Sequence, residues 1–381
     1  MEILKNLVYL LIVFLVTACS SKPKAPDANV PSGDIRYARG FSIEENEYYT
    51  KLVILNPWND YEAYANYFFL KDSTHKPNYN TKQLNFFFSE TPDRIALHSA
   101  AQAYSLKILD LEKKVKGITD PRLFYAENYQ KRLEAGELLQ TSSSTQINKE
   151  QIMLLRPDLV IVSGWSSIQD DYQQLINMGF PPLFMMEWME TEPLGRAEWL
   201  KVLGLFLDKQ KQADSLFDQI EANYLAIKSR IGNFKNKPLI IHGEEYNGVW
   251  YVAGGQSYIA KIYADAGANY LWKEDQNAGS LGLDIEVVLN KGANADFWFT
   301  TFGSKPTEID HLKQEKYTIL KAVKHQQIYS NTKRTNAAGG NDFWETGNIR
   351  PDIILKDIAK ILHPDLFVKD SLFFYKKLSW K

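Results

Sequence analysis

The sequence predicts an α/β protein: two parallel-sheet lobes joined by a single long α-helix, with an extra N-terminal antiparallel β meander. Three observations carry that expectation. From Pro92 onward, short apolar strands alternate with helical segments. The alternation stops once, at 193–231, where apolar residues recur at helical spacing over an unusually long run. It then resumes with a segment that repeats an earlier one.

The elements follow in chain order. Lys5 and the apolar run Leu7 to Val16 have the size of a secretory h-region, too short to span a bilayer. Val16-Thr17-Ala18-Cys19 has the order of a bacterial lipobox, so residues 1–19 are expected to be a lipoprotein signal peptide with Cys19 as the lipidation site. Cys19 is the only cysteine, which leaves the mature chain no intrachain disulfide and no cysteine-ligated metal. Residues 20–35, rich in Ser, Lys, Pro and Ala, read as a flexible tether. The mature protein is therefore expected to be exported, lipid-anchored in the cell envelope and periplasm-facing.

Residues 36–192 form the expected N-terminal lobe. It begins with the meander: runs at Tyr49 to Leu55, Glu62 to Lys71 and Leu84 to Ser89, the first two separated by the turn signal Asn56-Pro57-Trp58-Asn59-Asp60. Parallel strands are then expected at Arg94 to His98, Val115 to Ile118, Asp158 to Val162 and Leu183 to Met186, with helices at Gln102 to Leu111, Lys149 to Leu155 and Asp170 to Met178. Residues 193–231 are the linker: a shorter helix from Leu194 to Leu207, then a long one whose apolar stripe is Ala213, Leu216, Phe217, Ile220, Tyr224, Ile227 and Ile231. Asp208 is the expected cap, and Lys209 to Ile231 would reach about 35 Å at 1.5 Å per residue. In the C-terminal lobe, 232–381, strands are expected at Pro238 to His242, Gly248 to Tyr251, Asp296 to Thr300 and Gln327 to Tyr329, with helices at Ser257 to Ala266, Asp284 to Leu289 and Pro351 to Leu362.

The duplication is visible in residues. Asn148 to Gly164, NKEQIMLLRPDLVIVSG, and Leu283 to Gly303, LDIEVVLNKGANADFWFTTFG, share a helix with an early Glu, a turn, an Asp, an apolar strand and a closing Gly. Ligands of open parallel sheets bind at the carboxyl ends of strands. Two such lobes would face their loops across a cleft walled by Gly164-Trp165-Ser166-Ser167 and Phe302-Gly303-Ser304.

A net charge of −2 argues against a nucleic-acid surface. Aromatic residues make up 13%, with 9 Trp and 21 Tyr, which suits either cores or the walls of a pocket for a large, flat or apolar ligand. No nucleophile elbow, dinucleotide turn, P-loop or HExxH occurs, and no residue looks poised to break a bond, so the chain is not expected to be an enzyme. His98 and His242 each end the first strand of a lobe. With Glu244 and Asp342 they could form an N/O metal site, and either histidine, Tyr246 or Tyr251 could ligate haem, although bonding to nearby backbone is the plainer use of such histidines. The stronger lead is aromatic and polar residues at strand ends: Tyr125 (with Tyr129), Trp165, Ser166, Trp250 (with Tyr251) and the loop Gly339 to Trp344. Within that set Trp250 lies inside a strand, where core packing competes. Together they suit a wide cleft that grips a bulky ligand by stacking, with Phe343 in its wall and Asn341 and Asp342 orienting the ligand.

The ordered set Pro92-Asp93-Arg94-Ile95, Arg156-Pro157-Asp158-Leu159-Val160-Ile161, the spine with Asp208 to Tyr224, Tyr251-Val252-Ala253-Gly254-Gly255, Asp265-Ala266-Gly267-Ala268-Asn269 and Ile361 to Phe367 resembles a known family. It is similar to the substrate-binding proteins of ABC importers for iron–siderophore complexes, haem and cobalamin, over roughly Pro92 to Phe367. The resemblance implies capture of a ferric chelate, haem or corrinoid between the lobes and its delivery to an ABC permease in the inner membrane, with a stiff spine permitting small lobe movements. It implies no intrinsic cofactor and a monomer. Tyr125, Trp165 and the loop Asn341 to Phe343 fall where family members hold their ligand. Two features depart: Ser99-Ala100-Ala101 stands where the family commonly has Ser-Pro-Ser, and the carboxylates that would engage permease arginines have only Asp170, Asp171 and Asp265 as candidates. Two alternatives remain open at this point, a bare zinc or manganese binding protein and a chelatase-like tetrapyrrole enzyme.

Overall fold

A computed structural model describes residues 35–380 except 76, 144–145, 233–235, 304–308 and 311. Cys19, residues 20–34 of the tether and Ser304 lie outside the described residues. Among the described residues no helix is long and apolar enough to cross a membrane.

The chain opens with a four-stranded sheet, β1 (Phe41–Glu45), β2 (Tyr49–Asn56), β3 (Glu62–Leu70) and β4 (Leu84–Phe88), paired in that order. The first three strands are antiparallel, but β4 lies parallel to β3. The reason is the long connection from Lys71 to Gln83, which carries the chain back to the end of the sheet where β3 began; a parallel pair requires such a crossover.

In the first lobe, β5 (Ile95–Leu97), β6 (Val115–Ile118), β7 (Leu139–Gln140), β8 (Leu159–Ser163) and β9 (Pro182–Met185) form an all-parallel sheet of order β7-β6-β5-β8-β9. Strand order reverses between β5 and β8. The extra sheet covers the β9 edge: Tyr67 Oη donates to the Pro182 carbonyl at 2.8 Å and accepts from the Phe184 N–H at 3.2 Å, and the Tyr64 ring lies 5.0 Å from Phe184.

The second lobe repeats the plan. Its main sheet has the order β13-β10-β15-β16-β17, from β10 (Leu239–His242), β13 (Asn269–Tyr270), β15 (Phe297–Thr300), β16 (Ile328–Ser330) and β17 (Lys376–Leu378), and only the last pair is antiparallel. The segment expected as a parallel strand at Gly248 to Tyr251 is instead the middle of a separate antiparallel sheet, β11 (Glu244–Tyr246), β12 (Val249–Ala253) and β14 (Ser280–Asp284). Gly243 turns the chain directly from β10 into β11; its φ is +96°, and a Cβ there would stand 1.8 Å from the Tyr251 carbonyl oxygen.

The duplicated segments occupy equivalent places. β8 pairs with the first strand of its lobe and β15 with the first strand of the other. The aspartate before each strand does the same work: Asp158 Oδ2 accepts from the Arg94 N–H at 2.8 Å, and Asp296 Oδ2 accepts from the Leu239 N–H at 2.8 Å.

The linker has two short helices, Pro193–Glu198 and Leu200–Phe206, broken at Trp199, then the long helix Gln210–Ile231. Asp208 does not cap it. Asp208 sits in the left-handed region (φ +55°), and Lys209 is the cap residue, with no side-chain cap bond. Ala213 joins the buried core of the first lobe, whereas Phe217, Ile220, Tyr224 and Ile231 join that of the second. The helix thus bridges both lobes. Segment 35–40 crosses it as a strap. Glu198 accepts from the backbone N–H groups of Arg36, Tyr37 and Ala38, Glu190 accepts from those of Arg39 and Gly40, and the Tyr37 hydroxyl donates to Glu221 at 2.5 Å.

Candidate functional site

The loops after the strands of the two lobes meet. Glu345, the last residue of the short helix Asp342–Glu345 that follows β16, accepts from the N–H groups of Tyr125 (2.8 Å) and Ala126 (3.3 Å), which follow β6. Asn336 Nδ2 donates to the Phe124 carbonyl at 2.9 Å. Gly340 passes so close that a Cβ would stand 2.2 Å from the Phe124 oxygen. Asn348 Nδ2 and Gln102 Nε2 both donate to Glu187 Oε1, at 3.0 and 2.6 Å, which ties the loops after β5 and β9 to the second lobe. Burial pushes Glu187 above the ordinary carboxyl range, and Glu345 up to about 7 even though two N–H groups favour its charged form.

A cavity of about 330 Å³ lies beside this junction. Its wall comes from the linker and the second lobe: Arg196, His242, Tyr251, Tyr258, Phe343 and Trp344 are the chemically distinctive members. His242, Thr301 and Asn331 place it at the carboxyl ends of β10, β15 and β16, which includes the point where strand order reverses. A larger hollow, about 890 Å³ and lined in part by Pro238, Asp296 and Lys360, opens at the opposite, amino-terminal ends of β10 and β15, where this fold does not place ligands. Arg196 is held by carbonyls: its guanidinium donates to Glu187 O (3.2 Å) and Trp188 O (2.8 Å) and sits 4.0 Å over the Tyr258 ring. Among the described residues no carboxylate forms an ion pair with it, and none of the others in the cavity wall carries a charge, the buried His242 being neutral.

The sequence-derived candidates separate on this geometry. Phe343 reaches the cavity. Trp250 does not: it is fully buried, its ring 4.9 Å from that of Trp298 at a tilt of 38°, with its indole N–H on the His242 carbonyl. Alternation along β12 turns Tyr251, 45% exposed, to the cavity in its place. Asn341 spends its side-chain oxygen on the Phe343 N–H as a helix cap. Asp342 is buried, accepting from Arg334 Nε and from the Thr346 hydroxyl, both at 2.5 Å. Tyr125 is fixed at the junction with its ring 5.0 Å from the Arg334 guanidinium, while Trp165 and Ser166 stand exposed at the first-lobe rim. Trp344, the last residue of the loop Gly339 to Trp344, also reaches the cavity, whereas Arg196 and Tyr258 are not among the sequence-derived candidates. Arg196 lay in a stretch that periodicity marks as a strut, so nothing in its spacing pointed to a pocket.

His98 and His242 stay apart. His98 Nε2 lies 3.1 Å from the Thr141 hydroxyl and His242 Nδ1 2.7 Å from the Tyr263 hydroxyl, and burial pushes both imidazoles down to about 4. Glu244 accepts from the hydroxyls of Thr300 and Thr301, and Asp342 is occupied by Arg334. The convergence that a bare-metal site would need is not formed, and no group of three or more metal-ligating side chains occurs among the described residues. Of the carboxylates considered for docking, Asp171 accepts from the Ile147 N–H and Asp265 is held by Tyr224 and Lys228, whereas Asp170 is exposed.

The chain belongs to the periplasmic binding protein family, whose model matches residues 95–335. It is 27% identical over 270 residues to an uncharacterised lipoprotein of Methanocaldococcus jannaschii, a match covering 69% of this chain and 62% of that protein. Among solved structures it resembles an ABC transporter substrate-binding protein from Listeria monocytogenes, with a TM-score of 0.55 and 19% identity over 72% of this chain and all of the other. A periplasmic heme-binding protein from Roseiflexus is similar to the same degree, at 0.54 and 17% over 72% of this chain and 99% of that one.

Proposed function

We propose that this chain is the substrate-binding lipoprotein of an ABC importer: it captures an iron chelate (siderophore or haem) or a cobalamin-like corrinoid between its lobes and delivers it to an inner-membrane permease. The observation that carries this reading is the cavity at the strand ends, where Tyr251, Tyr258, Phe343 and Trp344 offer aromatic faces around the guanidinium of Arg196. Aromatic walls take up flat or bulky organic surface by stacking, and a guanidinium without a carboxylate partner suits the negative charge that ferric chelates and haem propionates carry. The heme-binding neighbour and the lipoprotein relative point the same way. In this reading the protein is exported, anchored through Cys19, monomeric, and free of a resident cofactor, its metal arriving within the cargo. The separated histidines favour a chelate over a bare ion.

The test is titration of the purified mature protein with hemin, cobalamin, cobinamide and several ferric siderophores, followed by tryptophan fluorescence. Saturable quenching by one of them with a micromolar or tighter Kd is the expected result. Stoichiometric zinc or manganese in protein purified without chelator, together with no response to any chelate, would overturn it.

A further inference from the structure

We propose that the N-terminal sheet is part of the ligand site, and that its hairpin residue Trp58 forms an outer aromatic wall that selects chelates carrying an aromatic or macrocyclic face. This inference rests on the functional reading above and concerns residues before the family match, which begins at 95.

The argument starts from where the hairpin must lie. β3 runs along the β9 edge, with Tyr67 bonded to Pro182 and Phe184 and Tyr64 against Phe184. Moving back along β3 from Tyr67 to Tyr64 therefore moves forward along β9, toward its carboxyl end. The hairpin that precedes β3 consequently projects at the carboxyl ends of the first-lobe strands, the edge that faces the second lobe. The turn is built to hold that position. Asn56 accepts from the Trp58 N–H through its side chain (3.1 Å) and from Asn59 and Tyr61 through its carbonyl, and both Asp60 and Tyr61 are left-handed, at φ +45° and +57°. Two successive non-glycine residues in that region fix the tip where a flexible loop would not require them.

At this edge three indoles form a continuous row. Trp58 lies 5.6 Å from Trp188, and Trp188 lies 5.1 Å from Trp165, which follows β8 at the point where strand order reverses. The two outer members are 39% and 45% exposed, too much for core packing, so two neighbouring indoles stand open to solvent at this edge. The row connects to the cavity through one side chain, since Arg196 donates to the Trp188 carbonyl while lining the cavity wall. The outer rings are tilted 54° and 53° from Trp188, so a ligand whose anionic end meets Arg196 can set a flat arm against the open face of an outer indole. An aliphatic chelate gains less there, because it has no π-face to stack.

The experiment compares wild type, Trp58→Ala and Trp58→Phe by equilibrium titration with hemin, a ferric tris-catecholate and a ferric tris-hydroxamate. Trp58→Ala is expected to weaken the aromatic probe that binds best by about fivefold to tenfold, with Trp58→Phe within about twofold of wild type and the hydroxamate unchanged. Circular dichroism and the melting temperature check that the alanine variant folds; if it does not, the phenylalanine variant and Trp58→Leu, which keeps bulk without the ring, decide by the same comparison. Unchanged aromatic affinity in the folded non-aromatic variant overturns the inference and leaves the functional reading standing. So does a wild type that binds only the hydroxamate. A wild type that binds none of the three probes, nor any corrinoid, overturns both.

Discussion

Glu345 Oε2 lies 2.8 Å from the backbone nitrogen of Tyr125, so one buried carboxyl of the second lobe holds the loop after β6 of the first. Burial raises this carboxyl to about 7, against a value near 4.3 in an unfolded chain. The native state therefore binds the proton more tightly than the unfolded state does. The contribution of this group to stability is complete below about pH 4.3 and is lost as pH rises through about 7. Asp342 disfavours its charge further, while Lys107 partly offsets that. Denaturation measured from pH 5 to 8 should show this loss, and Glu345→Gln should flatten it. An unchanged slope in the variant would refute the assignment.

The two buried histidines act in the opposite sense. Both are neutral in the folded protein, pushed down to about 4, whereas unfolded imidazole titrates near 6.5. Their contribution is complete above about pH 6.5 and is lost as pH falls through about 4. His242→Phe should reduce the acid sensitivity of the second lobe, read as the shift in urea midpoint between pH 7 and pH 4.5.

Arg196 should matter for binding more than for folding. Arg196→Leu is expected to weaken an anionic chelate by about tenfold or more, with Arg196→Lys intermediate because a lysine cannot cover the Tyr258 face or bond both carbonyls as a fork. Equilibrium titration against hemin and against its dimethyl ester separates charge recognition from stacking: the ester should bind wild type and the leucine variant alike.

Trp250 and Tyr251, neighbours in β12, should divide stability from binding. Trp250→Ala empties a fully buried site between Trp298 and Tyr317 and should cost about 3–5 kcal/mol of stability. Tyr251→Ala, half exposed at the cavity, should leave the melting temperature within a few degrees and weaken the ligand several-fold.

These contrasts show what the sequence could disclose. The long helix was legible because Phe217, Ile220, Tyr224 and Ile231 keep helical spacing within a helix of 22 residues, and the two lobes because Asp158 and Asp296 recur before equivalent strands. The fate of Asp208 was not, since a left-handed residue and a polar cap draw on the same residue type. The direction of β4 depended on where a thirteen-residue connection returned, which alternation cannot encode. At the junction, strand ends pointed to the loops that meet there but only in part to the side chains that line the cavity, Phe343 among them. Asn341 and Asp342 look like ligand-orienting groups in sequence, yet the tight turn before Phe343 consumes both. Arg196 shows the converse, a cavity-lining guanidinium hidden in a strut by its neighbours' periodicity.

The strap from Ile35 to Gly40 has a mechanical consequence. Five backbone N–H groups in succession are gripped by Glu198 and Glu190, while Tyr37 is pinned to Glu221 on the long helix. A pull applied at Ile35 is thus received first by Glu198 and Glu221 of the linker helices and then by Glu190 in front of them. Strap and linker therefore take up such a load together before it reaches β1.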